Sequence, residues 1–181
     1  MIETMVRVRS VSLDRIRGLA IVLMILDHIL DLTHELPLIR MTVTRLSMPL
    51  FFIISGHLVK RVNARTFQIM VIGFILPISI PWIDNPNVLF WYAVGTIVVV
   101  YVKQKWLIIL AALTMGANHY ALYIGSSYDP LFLIAFMAIG STFPREYFSW
   151  GNRLPAFFTF VGKYPLSIYL GHLFLLTGIL T

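Results

Sequence analysis

Asp27 and His28 stand together inside the first long apolar stretch, Gly18 to Leu32. An ionisable pair within such a stretch is costly, so it marks function by default. Arg17 precedes His28 by 28 − 17 = 11 residues, which on a helix is 1100°, about 20° past three full turns. One helix face therefore carries Asp14, Arg17, Ile21, Met24, His28 and, slightly off axis, Asp31. Arg17 falls roughly 16 Å along that face from His28. The imidazole suits a general base that deprotonates a hydroxyl or an amine. Asp27 or Asp31 would hold its tautomer, as the third member of a relay does. The bland alternative is a histidine hydrogen-bonded between helices, and the two neighbouring carboxylates weigh against it. A guanidinium at Arg17 grips phosphate or carboxylate bidentately. Its alternative is a snorkelling arginine that serves topology alone, which is the reading for Arg15.

Further polar residues interrupt later apolar runs. Arg45 lies within the second run and needs a partner, with Asp27 or Asp31 the natural choice; the pair would be structural or would bind the acceptor. Pro49 is expected to free a backbone carbonyl in mid-run, as happens beside cavities. Ser55 and Gly56 permit close helix packing, and Ser55 is also a candidate lining residue. His57 is ambiguous. Tyr169 and His172, at i and i+3, share a face of the last run and either line the same cavity as His28 or hydrogen-bond between helices. His119, next to Tyr120, reads as interfacial. Asp27, Asp31 and His34 have metal-compatible spacing, but no second ligand cluster accompanies them, so no metal is expected.

The elements that must position these residues follow from composition. Of the 181 residues, 59% are hydrophobic and 12% are charged. A soluble domain is nearer a quarter charged, so the expectation is an all-α integral membrane protein. The net charge of +6 does not point to nucleic acid, because the cations fall in short clusters between apolar runs. The absence of cysteine excludes disulfides, thiolate metal sites and a cysteine nucleophile. The basic start, with Arg7, Arg9, Arg15 and Arg17, lacks a small-residue cleavage site after its apolar run and reads as an uncleaved signal anchor.

Seven spans are drawn, at 18–33, 44–59, 67–83, 88–102, 106–124, 131–143 and 156–180. They form one polytopic domain, residues 18–181, behind a cytoplasmic segment, residues 1–17. The sixth span is short and is bounded by Pro130 and Pro144. A cytoplasmic N-terminus places Lys60, Arg61, Arg65, Lys103, Lys105, Arg145 and Arg153 inside as well, and leaves Arg40 in an outer loop. The expected location is the inner (plasma) membrane, with the lipid bilayer as the first partner.

Four segments carry a resemblance. Leu23-Met24-Ile25-Leu26-Asp27-His28, Met48-Pro49-Leu50-Phe51, Asn87-Val88-Leu89-Phe90 and Tyr169-Leu170-Gly171-His172-Leu173 occur in the order and spacing of the TraX family, from about Arg17 to Leu176. TraX-type proteins are small polytopic membrane acetyltransferases, and the named member acetylates a pilin N-terminal amine. Residues Leu13 to Ala20 together with His28 also look like the wider group that contains the acyltransferase-3 and heparan glucosaminide acetyltransferase families. The signature of that group is an arginine, ten intervening residues and a histidine, which Arg17 and His28 satisfy. The segment from Phe51 to Gly56 is similar to the one that comes next in those families.

The resemblance implies acetyl-CoA approaching from the cytoplasm, with Arg17 facing its phosphates and His28 acting at the thioester or the acceptor. The acceptor would be an amine or hydroxyl, such as a pilin N-terminus or a surface glycan. This chain has about seven spans where the acyltransferase-3 core has about ten. Its acceptor site is therefore completed by a homodimer, or its activity has been lost.

The expected function is membrane acyl transfer, with His28 as base, Asp27 or Asp31 orienting it, and Arg17 binding the donor. Asp14, Arg45, Ser55, Tyr169 and His172 are the secondary site residues. A small proton-coupled transporter would use the same His/Asp/Arg set, although no internal repeat supports it. A non-catalytic assembly factor would instead pack against a partner through exposed helix faces, and bulky changes at Gly56 or Gly171 would abolish its role.

Overall fold

The computed structural model describes residues 10–33, 42, 46–80, 87–117 and 130–180. These residues are largely helical, and no strand occurs among them. In chain order the elements are α1 Val11–Thr33, α2 Ser47–Leu58, α3 Ala64–Ser79, α4 Val88–Tyr101, α5 Gln104–Ala117 and α6 Pro130–Thr142. A 3₁₀ segment, η1 Arg145–Arg153, leads into a short α7, Phe157–Lys163, and then α8, Pro165–Leu180. His34, Arg40, Arg45 and His119 lie outside the described residues.

No helix among the described residues is long and apolar enough to cross a membrane. The two requirements fall on different helices. α1, at 23 residues, extends about 34 Å but carries Asp14, Arg15, Arg17, Asp27 and Asp31. The more apolar α2, α3 and α8 have 12, 16 and 16 residues, about 18 to 24 Å.

Local signals explain where the helices start. α1 begins at Val11 and not near Gly18, because its polar first turns pack against η1 and α7. Asp14 in its first turn suits the positive end of the helix dipole. Asn63 caps α3 in a reciprocal box with Thr66: the Asn63 Oδ1 accepts from the Thr66 N–H at 3.2 Å, and the Thr66 Oγ1 accepts from the Asn63 N–H at 3.4 Å. Asn87 caps α4 through Leu89 N–H, 3.1 Å. Pro49 is the third residue of α2. First-turn N–H groups have no intrahelical acceptor, so this proline does not free a carbonyl in mid-helix, contrary to the expectation from sequence. The last apolar run is also not one helix. It breaks at Tyr164, and Pro165 opens α8 in the first-turn position where proline fits.

α6 forms the centre of one half of the bundle and touches α2, α4 and α5. Seven of its residues, from Phe132 to Gly140, are buried. α1 organises the other half and packs on α2, α7, α8 and η1, while α3 lies against α4. Two of these crossings bring backbone onto backbone through reciprocal glycines. A Cβ at Gly56 would strike the Met137 carbonyl, and one at Gly140 would strike that of Ile53. At the α1/α7 crossing, Gly18 faces the Phe158 carbonyl and Gly162 that of Asp14. Gly171 differs, since nothing lies within 4 Å of where its Cβ would be. Gly56 therefore serves packing within the chain, whereas Gly171 lies on an exposed face.

Gly56→Leu should accordingly destabilise the fold by about 3 kcal/mol, since backbone cannot yield to the added side chain. Gly171→Leu should leave thermal unfolding of the purified chain close to wild type.

Candidate functional site

A cavity of about 560 Å³ opens between α1, α2, α3, α4 and α8. Its two ends differ in chemistry. Arg17 from α1, Lys60 and Arg61 from the α2–α3 connection, and Arg65 from α3 supply four cations. No acidic side chain is among the described residues that line it. The remaining walls are mainly apolar and aromatic, with Ile21 and Met24 on one side and Phe51, Phe52 and Tyr92 on another. Those three rings form a cluster, with centroid separations of 6.1, 5.9 and 6.2 Å. Ser55, buried at 3% exposure, contributes to the lining, while its neighbour Gly56 turns toward α6.

Arg17 is held in place on the cavity wall. Its Nη1 lies 3.9 Å from Asp14 Oδ1 and donates to the Gly162 carbonyl at 3.5 Å. Asp14 is buried beneath it. The carboxylate and the carbonyl together fix the direction in which the planar guanidinium presents its fork of donors. Arg15 serves the fold instead. Its Nε donates to Thr159 Oγ1 at 3.1 Å, and its Nη1 to the Asn152 carbonyl at 2.7 Å. It clamps α1 to η1 and α7, beyond the topological role read from the sequence.

Met24 and Tyr169 lie farther along the cavity wall, and one helical turn past them sit two histidines. His28 Nδ1 is 2.8 Å from His172 Nε2, and the rings lie edge to edge and nearly parallel, with centroids 5.1 Å apart at 22°. His172 Nδ1 is 3.3 Å from the Ile168 carbonyl oxygen. Tyr169 meets the His172 ring edge-on at 5.3 Å. Its hydroxyl donates to Asn87 Oδ1, 3.0 Å away. His28 is half-buried and His172 nearly fully buried. Neither histidine lines the cavity itself, so Met24 and Tyr169 form a partition before the pair.

The structure thus unites most of the site residues read from the sequence. Arg17, Ser55 and Tyr169 border one cavity, Asp14 backs Arg17, and His28 meets His172. Asp27 is half-buried and Asp31 exposed on the same stretch of α1. Arg45 is not among the described residues. His57 resolves as structural: its Nδ1–H donates to the Phe143 carbonyl at 3.0 Å, and its ring lies 4.8 Å from Phe148. No group of three or more His, Cys, Asp or Glu able to hold a metal occurs among the described residues.

Sequence reasoning misses three contributions. Topology alone accounts for Lys60, Arg61 and Arg65 in the sequence, and nothing in their spacing ties them to Arg17. Asn87 stands out only as part of a motif, yet it caps α4 and holds Tyr169 at once. The aromatic wall of Phe51, Phe52 and Tyr92 joins two helices and has no local signature.

Compared with protein-family models, with curated proteins and with solved structures, the chain matches none of them.

Asn87→Ala removes a helix cap and the acceptor of a buried hydroxyl, which together should cost about 2–3 kcal/mol. Tyr169→Phe removes the bond but not the cap and should cost about 1 kcal/mol. A double-mutant cycle in urea would show the two effects as strongly non-additive.

Proposed function

We propose that this chain is an integral membrane acyltransferase that moves an acetyl group from cytoplasmic acetyl-CoA to an amine or hydroxyl acceptor. The observation that carries this reading is the cavity: four cations at one end, apolar and aromatic walls, and a histidine pair one turn past Met24 and Tyr169. A CoA ester has the matching form, with phosphates at one end and a thin, weakly polar arm ending in the thioester. Arg17, Lys60, Arg61 and Arg65 take the phosphates. The arm runs along Ile21 and Phe51 toward Met24, whose unbranched side chain adapts readily to make room.

His28 is the general base of this scheme. The acceptor's N–H or O–H proton passes to the imidazole as the new C–N or C–O bond forms. The C–S bond then breaks, and the departing thiolate takes that proton. The TraX-like segments around His28 and His172 support the same assignment, and in that resemblance the acceptor is a pilin N-terminus or a glycan. No metal enters the scheme.

The membrane reading rests on composition and on the helix exteriors. Phe67, Val71, Phe74, Ile75 and Ile78 of α3 are exposed, as are Trp106, Ile108, Ile109 and Leu113 of α5 and Phe174 and Leu175 of α8. Lipid solvates such faces, whereas water does not tolerate them over this extent. Glycine-mediated backbone contact is also how helices associate where no hydrophobic force acts between them. In this reading about seven spans run from a cytoplasmic N-terminus. Helices of 18 to 24 Å fall short of a hydrocarbon core about 30 Å thick, so flanking residues or local thinning must complete the crossing.

Equilibrium binding of radiolabelled acetyl-CoA to the purified chain tests the reading. Wild type should bind saturably and hydrolyse the ester slowly. His28→Ala should bind within about twofold and lose turnover by about 10²-fold or more. Arg17→Ala should weaken binding by about tenfold, the loss of one charge-assisted contact. Absence of binding by folded wild type would overturn the enzyme reading and favour the proton-coupled transporter.

A further inference from the structure

The backbone assigns the hydrogens of the histidine pair. A carbonyl oxygen only accepts, so His172 Nδ1, 3.3 Å from the Ile168 oxygen, carries the hydrogen. In a neutral imidazole that leaves Nε2 as an acceptor. His28 Nδ1, 2.8 Å away, must then donate. Where His28 is neutral its Nε2 then carries the lone pair, and a hydrogen-bonded chain runs from His28 through His172 to the Ile168 carbonyl.

We infer that His172 is a positioning residue: it holds His28 in the Nδ1–H tautomer, and it shares the proton that His28 takes up. This rests on the reading of His28 as general base, and it transfers to His172 the orienting role that the sequence suggested for Asp27 or Asp31. A proton arriving at His28 Nε2 makes an imidazolium. That ring passes its Nδ1 proton across the 2.8 Å contact to His172 Nε2, so that one proton enters and one moves on. The positive charge is then shared between the two rings, and His172 Nδ1–H still faces the Ile168 oxygen. When the thiolate leaves, it removes the proton from His28 Nε2, and the shared proton returns to His28 Nδ1. Delocalising one charge over two hydrogen-bonded rings lowers the cost of forming it away from water.

Two features make the pairing specific. The rings are nearly parallel, at 22°, and Tyr169 is packed edge-on against His172 while its hydroxyl is fixed on Asn87. His172 therefore has little freedom to turn away, and its tautomer is set by its own helix through Ile168.

Nitrogen-15 NMR of histidine-labelled full chain at neutral pH reads the tautomer directly, with single histidine substitutions supplying assignments. Wild-type His28 should show a protonated Nδ1 and an unprotonated Nε2. His172→Gln, whose amide oxygen accepts the same hydrogen bond, should keep that pattern. His172→Phe should lose it, while Asp27→Asn and Asp31→Asn should not. In acetyl-CoA turnover, His172→Phe should lower kcat by about 10²-fold with binding unchanged. His172→Gln should fall between, because it holds the tautomer but accepts no proton. An Nε2–H tautomer in wild type would overturn the inference, as would a tautomer that follows the aspartates and not His172. A chain with the assigned tautomer but no acetyl-CoA binding would remove the acyl-transfer reading and leave the histidine pair standing.

Discussion

The backbone of α7 lies directly on the backbone of α1, and this contact sets both ends of the candidate site. It exists because Gly18 and Gly162 have no Cβ to hold the helices apart. At that separation the Gly162 carbonyl comes within reach of Arg17, and Asp14 is covered on its helix by α7. The chain then turns at Tyr164 and Pro165 and sends α8 along α1, which brings His172 to His28. A side chain at either glycine would displace α7, and with it the seat of Arg17 and the approach of α8. One close crossing thus fixes the cation at the mouth and the histidine pair beyond the partition relative to each other.

The charge arrangement follows from that frame. Arg17 is partly buried and its charge is balanced by Asp14 at 3.9 Å, so the fold tolerates it without a ligand. Lys60, Arg61 and Arg65 are exposed and solvated, where like-charge repulsion is weak and screened. An anion at the mouth would gain attraction from all four, most strongly from the preorganised Arg17. Farther in, the Tyr169 hydroxyl on the wall is already engaged with Asn87, and beyond the wall His28 is engaged with His172. That region is suited to an uncharged group.

How much of this could be read from the sequence depends on whether the signal was local. The face through Arg17, Ile21, Met24 and His28 is a property of one helix, and α1 presents its first three members to the cavity in that order. Tyr169 and His172 share a face for the same reason. The apolar runs located all of the longer helices, and the described α4 and α6 agree with their expected spans to within a residue. What the sequence did not disclose was pairing between distant segments. Arg15 looks like any interfacial arginine until Thr159 and Asn152 are placed beside it. η1 is too polar and too short to register as an element, and the break at Tyr164 hid inside a continuous apolar run.

The division of α8 shows why its polar residues bear on function more than its composition does. Leu173 and Leu176 turn inward with Tyr169 and His172, while Ser167, Gly171, Phe174 and Leu175 face out. A helix recruited only for packing would bury its apolar side and leave the polar side outward. Here the two groups with the strongest hydrogen-bonding demands are turned into the protein, and large apolar side chains remain outside. Burying tyrosine and histidine is costly unless each finds a partner, and both partners come from other helices, α4 and α1. The fold has therefore built matching acceptors and donors on three separate elements to keep those two side chains inside. Apolar residues would fill the same space without that requirement, which is the physical reason for treating the pair and its tyrosine as a working site.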